Sequence, residues 1–84
     1  MIHCYLMRFA EMGRTLYYRG ITASLQYRKS QHMKGHKRYE GKHFLDMRHI
    51  TSYNTRGEAM AWENRVSTLS REDKAQLWAT GVDV

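Results

Sequence analysis

The sequence predicts a single α/β (α+β) domain over residues 1–84, with a small three-stranded, mostly antiparallel sheet flanked by three helices in the order β-β-α-β-α-α. Three observations carry this expectation. Two aromatic and β-branched stretches open the chain with a glycine-containing turn between them. The C-terminal part holds two segments whose apolar residues recur at helical spacing, each behind a capping signal. Proline is absent and there are only six glycines, which argues for compact elements rather than long linkers.

Ile2-His3-Cys4-Tyr5-Leu6-Met7-Arg8-Phe9 is short, apolar and aromatic and reads as a strand. Glu11-Met12-Gly13-Arg14 makes a turn with weak turn chemistry. Thr15-Leu16-Tyr17-Tyr18-Arg19 supplies a second strand, giving a hairpin that closes at Gly20. From Thr22 or Ser24, either of which can cap, the chain is helical through Met33, with no breaker until Gly35. Lys34 to Lys42 is basic and punctuated by Gly35 and Gly41, hence a surface loop. His43 to Ile50 offers the third strand. Thr55 and Glu58 fit a capping box, and Ala59, Trp62, Val66 and Leu69 form a core stripe behind it. Ser70 and an acidic first turn open the last helix, whose apolar positions are Ala75, Leu77 and Trp78, with Gly81 as the expected C-cap.

The chain is 84 residues long with a net charge of +6, and 42% of it is hydrophobic, which suits a thin but foldable core. It shows no apolar run of the roughly 20 residues a membrane span needs and no signal-peptide pattern. A single cysteine, Cys4, excludes an internal disulfide and a four-cysteine zinc site, so an intracellular, cytoplasmic protein is expected. Charge is unevenly placed. Residues 14–56 hold ten Lys/Arg against Glu40 and Asp46, whereas from Gly57 onward five acids outnumber three bases. A polarised basic stretch favours a polyanionic partner.

Tyr5, then Tyr18-Arg19-Gly20-Ile21-Thr22, then Arg28 and His32, then Glu58-Ala59 and Glu63 form an ordered set. Together they resemble the GIY-YIG endonuclease family, and above all its short stand-alone bacterial members, over about Ile2 to Leu77. Two departures stand out: the first motif is His3-Cys4-Tyr5, keeping only the tyrosine, and the second is Tyr18-Arg19-Gly20, with arginine where isoleucine is usual. An asparagine found near the C-terminal end of some members has no clear counterpart.

Read from physics alone, Arg28 and His32 are four apart and share one helix face, and Gly20 lets backbone approach closely. Glu63 follows Trp62 beside the apolar stripe of its helix. Taken singly, each has a plainer reading: core aromatics for the tyrosines, and solvated side chains for Arg28 and Glu63. The resemblance implies a shared catalytic role. Glu63 would hold one divalent ion, Mg²⁺ or Mn²⁺; Tyr5 would act as general base on water; Tyr18 would position that water or share the task. Arg28 would neutralise the phosphorane, and His32 would bond a phosphate or Tyr18. The expected products are 5′-phosphate and 3′-hydroxyl ends.

Arg19, Lys29, Lys34, Lys37, Arg38 and Lys42 are the expected nucleic-acid contacts, with Tyr39 and His36 interleaved among the last of them. DNA is the expected substrate, and RNA presents the same polyanionic backbone. A homodimer would present two sites to two strands, and a phage or mobile-element origin fits so small a nuclease. The alternative is a non-catalytic nucleic-acid-binding or protein-interaction module on the same scaffold. His32 and His36 stand at metal-pair spacing, but the expected helix stop at Gly35 separates them.

Overall fold

The computed structural model describes residues 1–35 and 41–84. Among these, strand β1 spans Ile2–Glu11, β2 Arg14–Thr22, helix α1 Leu25–Met33, β3 His43–Tyr53, α2 Arg56–Ser67, α3 Arg71–Ala79 and β4 Val82–Asp83. The α+β class is as expected, but the sheet has four strands rather than three, in the order β2-β1-β3-β4. All neighbouring pairs are antiparallel.

The additional strand follows from Gly81. The expected αL cap does not form there: Thr80 caps α3 in the right-handed region, and Gly81 is absent from the positive-φ residues. Its missing side chain serves proximity instead. A Cβ at Gly81 would stand 2.8 Å from Ile50 Cδ1 and 2.9 Å from Arg48 Cβ, so glycine lets the chain turn tightly onto β3. Two residues of β4 then pair as Arg48↔Asp83 and His49↔Val82.

The β1–β2 hairpin turns on Met12 (φ 50°) and Gly13 (φ 78°). Positive φ at both central residues is the type I′ pattern that matches strand twist. Methionine is an uncommon choice there, which is why the turn is faint in the sequence. Met12 is 95% exposed, so its side chain gains nothing from packing. Met12→Asn is therefore expected to stabilise the fold by about 0.5–1 kcal/mol, read as a rise in Tm, because asparagine tolerates the left-handed region.

β2 runs beyond the predicted closing point, so that Gly20 lies inside the strand opposite Tyr5 rather than at its end. Of the two candidate caps, Ser24 starts α1, accepting from the Tyr27 N–H at 3.3 Å. Thr55 caps α2: its hydroxyl accepts from the Glu58 N–H at 3.2 Å and donates to the Glu58 carboxylate at 2.9 Å. Ser70 caps α3 in the same way, accepting from the Asp73 N–H.

Strand alternation divides the core in two. Cys4 and Leu6 face α2 and α3, packing with Ala59, Trp62, Val66 and Trp78. Tyr5, Met7 and Phe9 face the other way, with Met47, Tyr18, Phe44 and Leu25 of α1. Irregular register between β1 and β3 at Cys4/Tyr5 and at Arg8/Phe9 lets β3 follow the twist of β1. Helix layers thus cover both faces of the sheet, and β2 forms one exposed edge.

Candidate active site

Tyr5 lies on the α1 side of the sheet and is 3% exposed. Its ring lies across Gly20: a Cβ at that position would stand 2.3 Å from Cζ and Oη, and 2.8 Å from Cε2. Gly20 is thus a seat for the phenol, and the seat lies on the edge strand. Tyr18 stands on the same face two residues earlier, half-buried, with its ring edge-on to Phe9 at 5.4 Å between centroids.

Helix α1 lies over these side chains. Leu25, Arg28 and His32 recur at spacings of three and four, so they form one stripe, which Leu25 anchors against the tyrosine-side core. His32 is 6% exposed, stacked on Phe44 (6.2 Å, 15°) and edge-on to Phe9 (6.4 Å, 82°). The Arg28 Nε is buried and has no hydrogen-bond partner among the described residues. A guanidinium held on the inner face without a carboxylate is suited to an anion brought from outside.

The structure therefore gathers Tyr5, Gly20, Tyr18, Arg28 and His32 on one side of the sheet. Glu63 belongs to the other layer. It follows Trp62 on α2, is half-buried, and forms no ion pair with any described residue. Its charge is felt at Cys4, whose thiol is pushed up to about 11, first by burial and then by Glu63, with Arg65 opposing.

Cys4 allows a direct check of this layer. Its side chain is fully buried, so it should react with thiol reagents only as the protein unfolds. Because the folded thiol ionises later than the unfolded one, its contribution is intact below pH 9 and is lost as pH rises toward 11. Relative to Cys4→Ala, the parent should lose roughly 2–3 kcal/mol of stability across that interval, measured by denaturant titration.

A divalent metal ion needs several donor atoms around it. Among the described residues no group of three His, Cys, Asp or Glu is placed to hold one, so a dedicated all-protein cage is not built. One unpaired carboxylate is compatible with Mg²⁺, which keeps several waters and takes phosphate oxygens.

The expected nucleic-acid contacts fall in different places. Arg19 alternates with Tyr18, so it faces the α2 layer, away from the tyrosine hydroxyls; its Nε is also buried without a described partner. Lys29 donates to the Val84 carbonyl, and Lys42 pairs with Glu11 at 3.2 Å. Lys34 is the exposed C-cap of α1. Lys37 and Arg38, with His36 and Tyr39, lie outside the described residues.

One polar cluster was not anticipated. Ser52 Oγ is 2.7 Å from His3 Nδ1 and 2.8 Å from His49 Nε2, with the two rings 5.4 Å apart. His49 is the cross-strand partner of Tyr5, and His3 precedes Tyr5 by two residues. The hydroxyl has one proton, so at least one imidazole donates to it. Only strand parity could have suggested the His3–Tyr5 relation; the register that adds His49 and Ser52 is set by the β1–β3 pairing.

The family model for the GIY-YIG catalytic domain matches residues 1–76. The chain belongs to the GIY-YIG family. GIY-YIG domains are typically endonucleases that act on DNA. The chain is also 34% identical over 80 residues to a UPF0213 protein of Halobacterium salinarum, covering 93% of this chain and all of that one. No solved structure gives a significant match. Among the described residues no helix is long and apolar enough to cross a membrane.

Proposed function

We propose that this GIY-YIG domain is a metal-dependent DNA endonuclease whose site lies at the β2 edge of the sheet. The observation that carries the reading is the seat of Tyr5 on Gly20, beside Tyr18 and beneath an α1 stripe holding the unpartnered Arg28 Nε. An edge strand is where groups from both layers can approach one substrate. That position lets Glu63 of α2 and the tyrosines of the other face serve the same phosphodiester.

In this reading a water oxygen bonds to phosphorus, the bond to the 3′ oxygen breaks, and 5′-phosphate and 3′-hydroxyl ends result. Tyr5 takes the water's proton, and Tyr18, the more accessible of the two, orients the water or shares that role. Arg28 meets the charge that builds on the phosphorane, where a preorganised cation is worth most. His32, packed between Phe9 and Phe44, steadies the face of α1 that carries Arg28. Glu63 would hold Mg²⁺ or Mn²⁺, which when bound supplies positive charge at the phosphate oxygens.

The test separates binding from cleavage on one labelled duplex. Tyr18→Phe, Arg28→Gln and Glu63→Ala are each expected to lower cleavage by about 10²-fold or more. Glu63→Ala should leave binding without metal within roughly threefold of the parent, because an acid contributes no phosphate affinity of its own. A non-catalytic module on this scaffold gives the contrary result: the parent binds the duplex and cuts nothing.

A further inference from the structure

A cavity of 210 Å³ opens between β2 and α3, lined by Thr15, Leu16, Tyr17, Tyr18, Arg71 and Lys74. Three features bear on what it holds. Arg71 and Lys74 are three apart on α3 and so share a face, and neither forms an ion pair with a described carboxylate. Their acidic neighbours Glu72 and Asp73 are not among the lining residues, so the charged groups that line the cavity are both cations although the C-terminal segment is net negative. Tyr17 is braced by the Trp78 ring at 6.0 Å, which makes its ring a fixed wall.

The size is informative too. Pockets that enclose a whole small ligand run to about 300–1,000 Å³. At 210 Å³ and open to solvent, this one suits a single unit of a polymer. Tyr17 faces α3 and Tyr18 alternates toward the α1 face, so the cleft and the tyrosine cluster lie on the two faces of the same edge strand.

We propose that this cleft is a second subsite for the DNA strand, in which one phosphate is held by Arg71 and Lys74 and the adjoining sugar and base lie against Tyr17. The inference rests on the nuclease reading for its choice of ligand. It adds a direction: the strand leaves the cleavage point at Gly20, passes over the β2 edge and runs toward Thr15 on the α3 face. It also supplies phosphate contacts outside the basic segment that composition singles out.

The experiment is anisotropy of a labelled duplex titrated over a range of KCl, with EDTA present so that nothing is cut. Two phosphate contacts contribute about 1.8 to the slope of log K against log salt. Arg71→Gln/Lys74→Gln should reduce the slope by about that amount, while Arg56→Gln/Arg65→Gln, with the same charge change on α2, should leave it unaltered. Thr15→Glu, which sets a carboxylate against both cations, should weaken binding in the same direction, with thermal melting confirming that each variant is folded. An unchanged slope in the α3 pair, or an equal fall in both pairs, overturns the proposal. A parent that shows the expected slope change yet never cuts in Mg²⁺ retains the subsite and loses the nuclease reading. A parent that cuts, with no slope change in the α3 pair, does the reverse.

Discussion

Gly20→Ala is expected to remove most cleavage activity while leaving the domain folded. The added methyl group would stand only 2.3 Å from Tyr5 Cζ and Oη, and Tyr5 is only 3% exposed, so the ring has little free space to enter. Overpacking of this kind costs about 1–3 kcal/mol, which a domain of ordinary stability survives. The displaced hydroxyl is the larger effect, since misplacing a reacting group by about 1 Å can lower a rate by roughly 10²-fold. If Gly20 acts through Tyr5, the change should add little to Tyr5→Phe, because two lesions in one unit are not additive. Plasmid cleavage and thermal melting on the two single variants and the double variant measure both parts.

Trp78→Ala should be the most damaging core substitution. Trp78 is 5% exposed and gathers groups from most of the α2/α3 side. The Arg8 guanidinium lies 4.6 Å from its ring centre and that of Arg48 lies 4.9 Å away, while Arg48 also donates to the Trp78 carbonyl at 3.1 Å. Arg8 is itself held by Asp46 through two hydrogen bonds of 2.7 and 2.5 Å, and Arg48 reaches Asp83 of β4 at 2.9 Å. Removing the indole opens a cavity worth about 3–5 kcal/mol and forfeits about 0.5–1 kcal/mol per cation–π contact. For a domain of this size that is on the order of 20 °C in Tm. Trp78→Phe should recover a substantial part of the loss, because a ring still fills the site.

These two positions illustrate how far the sequence could be read. Trp78 was legible as a core residue from helical spacing alone, but its arginine partners come from two strands distant in sequence and appear only once β1 and β3 pair. Gly20 was legible as a point of close approach; that the approaching group is Tyr5 follows from the register Tyr5↔Gly20. Strand alternation already places Tyr5 and Tyr18 together once the hairpin register is known. The division of the site between two layers, with Glu63 on the helix that covers Cys4, depends on which face α2 packs against, and no local pattern encodes that. Gly81 misled for a local reason: glycine after a helix usually supplies an αL cap, whereas here it admits a close strand contact. Arg71 and Lys74 were hidden by counting charge along the chain, since Glu72 and Asp73 balance them in sequence, whereas only the two cations line the cleft.

The most direct test of the nuclease reading is incubation of the purified parent with supercoiled plasmid in Mg²⁺ and in EDTA, beside Glu63→Ala. The reading predicts nicked or linear DNA with 5′-phosphate ends only when both the metal and Glu63 are present. Plasmid left intact by the parent under every divalent ion tried, with DNA binding retained, would contradict it and leave a binding module on a nuclease scaffold.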